Sequence, residues 1–347
     1  LAIPYDVGGR EAGEIPATPD PVLPAPLAPT GPHAEATVAA IARLLAAAER
    51  PLLLAGRGAW TAGAGDELGR LADAAGALTA STALGRGIFP RAEFDLGVTG
   101  GFGAEGAMAT IREADVAVVF GASLNQFTMR FGELFAPDAT IVQVDVAPAA
   151  THPQVGRYLR ADAALAARAI ADGLERLGGG ASRWREGVDV AALRAREHGD
   201  GIAPDGRLDP RSAAAAIAEL LPEDRVVVSD GGHFIGWANM FWPVASPDRM
   251  MMVGTAYQSI GLGFPSVPGA ATARPESTIV LTTGDGGGLM AIADLESAVR
   301  VARGRGLAVV WNDGAYGAEV HLYGVMGLAR GPMEIPEVDF AGLARAV

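Results

Sequence analysis

Short continuous apolar runs alternate with helical periodicities along most of the chain. Pro51-Leu52-Leu53-Leu54-Ala55 and Val116–Phe120 are continuous apolar runs, and Ile141–Val146 is taken with them despite Gln143 and Asp145, so each reads as a strand buried on both faces. Ala34–Glu49, with Val38, Ile41, Leu44 and Leu45 at helical spacing, reads as a helix, as does Asp66–Ala75. The alternation resumes with a helix over Pro210–Leu221, a strand over Arg225–Ser229 and a Gly-rich segment over Gly254–Ala273. A strand follows at Thr278–Thr283, then a helix showing Leu289, Ile292, Leu295, Val299 and Ala302 on one face, then a strand at Leu307–Trp311. Buried strands separated by helices imply parallel sheets with right-handed crossovers. The expected fold class is therefore α/β, with two doubly wound parallel-sheet domains.

Two interruptions divide this pattern. Residues 16–32 hold Pro16, Pro19, Pro21, Pro24, Pro26, Pro29 and Pro32, which excludes a helix interior or a central strand and predicts an extended linker. Gly178-Gly179-Gly180 opens a second connection, with Trp184 and a short helix expected at Val188–Arg196. The expected division is 1–32, a first domain at 33–178, a linker at 179–206 and a second domain at 207–347. The opening Leu1–Val7 reads as the tail of a strand, and Phe340–Val347 falls inside a helical pattern, so the chain reads as a piece cut at both ends.

Composition narrows the chemistry. The 347 residues exceed one ordinary core, and 50% hydrophobic against 19% charged residues favours a large packed interior. The net charge is −13 with scattered Lys and Arg, so no nucleic-acid footprint is expected. The lack of cysteine excludes disulfides, thiolate metal sites and cysteine nucleophiles, and fits a cytoplasmic protein. No apolar run reaches the roughly 18 residues of a membrane span, and no signal peptide is visible. An acidic protein still binds an anionic cofactor if a metal ion and backbone N–H groups mediate.

The segment 278–317 has the elements for that. Gly284-Asp285-Gly286-Gly287-Gly288 turns from one buried strand into a helix, and Asn312-Asp313-Gly314 follows the next strand. A strand–helix–strand crossover puts Asp285 and Asn312 at the carboxyl edge of a parallel sheet, where such folds bind ligands. Glycines let the backbone approach a diphosphate. Mg²⁺ takes about six oxygens, and the Asp285 carboxylate, Asn312 carboxamide and Gly314 carbonyl are candidates for three of them. The bland readings are a helix N-cap for Asp285 and a turn residue for Asn312.

A Gly-Asp-Gly triplet followed 27 residues on by Asn-Asp, each after a buried strand, resembles the cofactor motif of thiamine-diphosphate enzymes. Tyr316-Gly317 and Gly261-Leu262-Gly263-Phe264-Pro265 agree with that family's pattern, and Asp313 replaces a second Asn that many members carry. Gly56-Arg57-Gly58, Gly97–Gly103 and Gln143-Val144-Asp145 resemble the Rossmann-like central domain of acetolactate-synthase-like members. Leu1–Val7 resembles the last strand of their pyrimidine-binding domain. That domain carries the family's catalytic Glu, which is outside this sequence, as is the lid beyond residue 347. The resemblance implies thiamine diphosphate and Mg²⁺, a 2-oxo acid substrate such as pyruvate, and a homo-oligomer, dimer or tetramer. It implies cofactor contacts from Gly232, His233, Ile260, Gly284, Asp285, Gly286, Gly287, Asn312 and Tyr316, with Ile260 as the apolar wedge that bends the cofactor. Glu319 and His321 are candidates to face substrate.

FAD is a candidate for the first domain, with Asp145 near a nucleotide. Against it, Gly121-Ala122-Ser123-Leu124-Asn125-Gln126 lacks the Arg that acetolactate synthases carry there, and only Arg57 or Arg130 is left to compensate. The expected reaction is decarboxylation and carboligation of a 2-oxo acid, acetolactate synthase-like. The alternatives are another 2-oxo acid decarboxylase of the family and a non-catalytic protein with the same fold. An NAD-dependent dehydrogenase is disfavoured, because Thr61 stands where the third glycine of the dinucleotide turn belongs.

Overall fold

The computed structural model describes residues 5–11, 13, 14, 24–244, 246–254 and 259–347. Six strands form the first sheet: β1 (Pro51–Ala55), β2 (Leu78–Ser81), β3 (Asp95–Val98), β4 (Val116–Phe120), β5 (Thr140–Asp145) and β6 (Val155–Arg160). Their order is β3-β2-β1-β4-β5-β6 and every pairing is parallel. Alternate residues serve opposite faces. Leu53, Val118 and Phe120 pack under the helices Pro32–Ala47, Gly65–Ala75 and Ala163–Arg176. Leu52, Leu54 and Val119 pack under Glu105–Arg112 and Val190. Helices on both faces explain why β1 and β4 are apolar at every position.

The second sheet holds β7 (Arg225–Ser229), β8 (Met250–Met252), β9 (Thr278–Gly284) and β10 (Gly306–Trp311), ordered β10-β9-β7-β8 and again all parallel. Helices Gly263–Ala273 and Leu295–Ala302 cover one face through Phe264, Val267, Leu295 and Ala298. Trp242 and Ala238 cover the other against Val227 and Val280, with the Trp242 indole N–H donating to the Ala214 carbonyl at 3.0 Å. Arg86 crosses between the two halves. Its guanidinium donates to the carbonyls of Ala238 and Trp242 and to Asn239 Oδ1, and burial pushes its pKa down to about 10. Among the described residues no helix is long and apolar enough to cross a membrane.

The departures from the sequence pattern have physical causes. The strand expected at Leu1–Val7 does not form where it can be seen: Tyr5–Gly8 is one helical turn, closed by Arg10 donating to Asp6, while Leu1–Pro4 lie outside the described residues. Among the described residues no strand pairs with this segment, and a local i,i+4 ion pair supports a turn instead. The expected helix after Gly288 is broken. Asp285–Met290 ends at Ala291, a 3₁₀ turn spans Ile292–Asp294, and the helix restarts at Leu295. Part of the linker expected at 16–32 is described, from Pro24, and most of the rest lies outside the described residues.

Candidate functional site

Register decides which loops meet. Trp311 pairs with Gly284 and Ser229 with Thr282, so β10, β9 and β7 end side by side. A cleft of about 820 Å³ opens over these ends. Its lining takes in Gly232, His233 and Ile260 on one side, Gly284–Gly287 across the floor, and Asn312 and Tyr316 from the loop after β10. Gly314 stands behind Asp285. Its N–H donates to Asp285 Oδ2 at 3.0 Å, and its φ of +72° is the left-handed conformation that glycine adopts without strain.

Asp285 is 2% exposed and begins the helix Asp285–Met290. Burial raises its carboxyl pKa above the ordinary value. The backbone N–H of Gly286 opposes this, the nearby Asp313 adds to it, and the Gly314 N–H again opposes it. No Lys or Arg pairs with it among the described residues. A buried carboxylate short of positive charge is a fitting cation ligand. Asn312 Nδ2 donates to the Val338 carbonyl at 3.1 Å, which fixes the carboxamide and leaves its oxygen as the accepting end. Among the described residues no cluster of three or more His, Asp or Glu is arranged for a metal. The donor set is one carboxylate, one carboxamide and backbone, which suits Mg²⁺ accompanied by a diphosphate's own oxygens.

The glycines leave room that side chains would fill. A methyl at Gly286 would stand 2.7 Å from the Tyr316 ring, and one at Gly287 would stand 2.8 Å from Asp230 Oδ2 and 3.2 Å from Ile260 Cγ2. Ile260 is 37% exposed and lines the cleft. His233 and His321 stack with ring centroids 4.5 Å apart and 15° between planes. Burial lowers the His233 pKa, His321 lowers it further, and Asp313 opposes both. Glu319 also lines the cleft.

The sequence pattern overlooked the residue that ties the site together. Asp230, 1% exposed, accepts from the N–H groups of Gly231 at 2.8 Å, Gly261 at 3.0 Å and Leu262 at 3.1 Å, and from Thr283 Oγ1 at 3.0 Å. An acid ending a buried strand just before Gly-Gly was the available signal. Trp237 and Trp311, also unforeseen, line the cleft with ring centroids 6.1 Å apart.

The candidate nucleotide residues of the first sheet are arranged differently. Gly56 N–H donates to the Phe120 carbonyl and Gly58 N–H to the Gly121 carbonyl, at 2.9 and 2.8 Å. Arg130 pairs with Glu105 at 3.1 Å, and Asp145 Oδ1 accepts the Ala147 N–H at 3.0 Å.

Comparison with known proteins gives the family. Residues 38–176 match the profile of the thiamine pyrophosphate enzyme central domain, and residues 230–347 match the C-terminal TPP binding domain of the same enzymes. The chain belongs to the thiamine pyrophosphate enzyme family. It is 29% identical over 305 residues to an acetolactate synthase large subunit of Parasynechococcus marenigrum, covering 85% of this chain and 48% of that protein. It is 26% identical over 311 residues to an acetolactate synthase of Arthrospira platensis, covering 85% and 52%. The chain thus spans about half the length of these relatives. A solved structure from Mycobacterium smegmatis, provisionally described as a thiamin diphosphate-dependent enzyme, superposes with a TM-score of 0.70 at 22% identity, covering 94% of this chain and 60% of the other, and shows the shared fold.

Proposed function

We propose that the chain forms the diphosphate-holding part of a thiamine-diphosphate- and Mg²⁺-dependent enzyme that decarboxylates a 2-oxo acid such as pyruvate and joins the product to a second carbonyl compound, as acetolactate synthases do. The observation carrying this reading is the pairing of buried, cation-poor Asp285 with a glycine floor in one cleft. Asp285, Asn312 and the Gly314 carbonyl hold the metal ion. Gly232, Gly284, Gly286 and Gly287 admit the diphosphate, His233 and Tyr316 border it, and Ile260 supports the bend of the cofactor. When bound, thiamine diphosphate supplies the electron sink for breaking the bond to the carboxylate. The protein's own contribution is position and exclusion of water: Phe234, Trp237 and Trp311 wall the cleft with apolar surface. Glu319 and His321, the latter stacked on His233, line the same cleft and are the candidates to hold or move a proton on the substrate side.

The working protein is a cytoplasmic homo-oligomer, dimer or tetramer. The exposed apolar residues Leu322, Tyr323, Val325, Met326 and Leu328 support an interface near the cleft's outer loop. The first domain holds no flavin in this reading. The test is calorimetry of thiamine diphosphate into the chain with and without Mg²⁺. Binding that depends on Mg²⁺ and disappears with a chelator supports the proposal, and metal-independent binding defeats it. The 347-residue chain alone is expected to bind cofactor and consume no pyruvate.

A further inference from the structure

The cleft is short of positive charge for the ligand it takes. Asp205, Asp285, Asp313, Glu319 and Glu337 all line it, against a single Lys or Arg among the described residues, Arg207. That arginine is carried on a small hairpin over the cleft mouth. Ile202 and Leu208 form an antiparallel bridge, Ala203 N–H donates to the Arg207 carbonyl at 2.8 Å, Gly206 N–H donates to the Ala203 carbonyl at 2.9 Å, and Asp205 Oδ1 accepts the Arg207 N–H at 3.1 Å. Asp209, just beyond, caps the helix Pro210–Leu220 by accepting the Arg211 N–H at 2.9 Å, so the hairpin is anchored at its exit.

The Arg207 side chain crosses to the loop after β10. Its Nη1 donates to the Asp313 carbonyl at 3.3 Å, the peptide between Asn312 and Gly314. Neighbouring Arg211 is tied to Asp209 and Glu197, whereas Arg207 has no carboxylate partner among the described residues. A guanidinium has about five donors in a planar fork suited to oxyanions. One is used on Asp313, the side-chain hydrogen bonds and ion pairs among the described residues give the others no partner, and the arginine lines the cleft.

We propose that Arg207 is an anion hook: it braces the Asn312–Gly314 loop through the Asp313 carbonyl and pairs with the diphosphate of the bound cofactor. The hook rests on the cofactor reading above and adds a residue outside the Gly-Asp-Gly and Asn-Asp segments. The test measures dissociation constants of Mg²⁺–pyrophosphate, of Mg²⁺–thiamine diphosphate and of oxamate for the wild-type chain, Arg207→Gln and Arg207→Lys. Calorimetry and intrinsic tryptophan fluorescence, to which Trp237 and Trp311 in the cleft contribute, provide the readout, at two ionic strengths.

Arg207→Gln should weaken both phosphate ligands by the same factor, roughly tenfold. It should also flatten their salt dependence and leave the melting temperature unchanged, because the side chain is exposed. Arg207→Lys should keep most of the affinity and the salt dependence. Unchanged affinity in Arg207→Gln overturns the hook. So does weakening confined to oxamate, a 2-oxo acid mimic, since the arginine then serves the substrate carboxylate. A loss matched by a lower melting temperature also overturns it, as a purely structural role. A wild-type chain that binds neither phosphate ligand overturns the cofactor reading itself, and the hook with it.

Discussion

At the carboxyl edge of the first sheet, the loops after β1 and β4 are locked together backbone to backbone, whereas the loops after β7, β9 and β10 of the second, tied through Asp230 and Asp285, surround a cleft of about 820 Å³. Both sheets have the parallel architecture in which that edge binds ligands. In the first, strand order reverses between β1 and β4, and the crevice is filled by backbone: a methyl on Gly56 would lie 2.5 Å from the Gly121 carbonyl oxygen, and one on Gly58 would lie 2.9 Å from it. The N–H groups a phosphate would need there already have partners. In the second sheet the glycines pack instead against side chains, Gly286 against Tyr316 and Gly287 against Ile260 and the buried Asp230, with Tyr316 and Ile260 lining the cleft. Glycine-rich turns after strands thus do two opposite jobs in one chain, closing one edge and opening the other. Only the contacts of each glycine tell them apart.

The strongest way to break this comparison is at Asp285. Asp285→Ala should lower Mg²⁺-dependent thiamine diphosphate affinity by about a thousandfold, roughly 4 kcal/mol, measured by calorimetry. Wild-type affinity in that variant removes Asp285 from the site. Next comes the closed edge. Gly121 has φ +54°, and a methyl there collides with the Ala59 amide nitrogen. Gly121→Ala should cost about 2–4 kcal/mol in urea unfolding of the first sheet. Cofactor affinity of the folded chain should stay within about twofold of wild type. A harmless alanine would mean that the crevice is looser than described.

Gly286→Ala should show the reverse profile. Alanine favours the helix by roughly 0.5–1 kcal/mol, offsetting contact with the movable Tyr316 ring, so stability barely changes. The methyl intrudes on the cradle and should weaken cofactor binding about tenfold, near 1.4 kcal/mol. Equal losses of stability and affinity would contradict an open site. The smallest expected signal is a null one. Because the first edge is closed, full-length protein purified without added cofactor should be colourless. A yellow preparation with stoichiometric flavin would reverse the contrast between the sheets.

Much of this was readable before any coordinates. β1 and β4 are continuous apolar runs because helices cover both faces, and β7 and β9 keep apolar centres at Val226–Val228 and Ile279–Leu281, so that pattern survives in sequence. The spacing from Asp285 to Asn312 is one crossover, so the meeting of the two loops was legible too. Less visible were β3 (Asp-Leu-Gly-Val) and the edge strand β6, whose Arg157 and Arg160 face solvent and interrupt the apolar run. The helix Gly263–Ala273 was hidden by its glycines and by Pro268. Asp230 escaped notice because its partners, Gly261, Leu262 and Thr283, lie 31, 32 and 53 residues away, a distance that local spacing cannot reveal.

Those same separations bear on the order of events in folding. The carboxylate that gathers the cleft draws on the end of β7, the turn before Gly263–Ala273 and the last residues of β9, so no two-element intermediate contains a finished pocket. Non-local parallel pairings close late and slowly. Competence to bind ligand therefore arises together with completion of the second sheet, which makes ligand capture a clock for that sheet's assembly rather than for the chain as a whole.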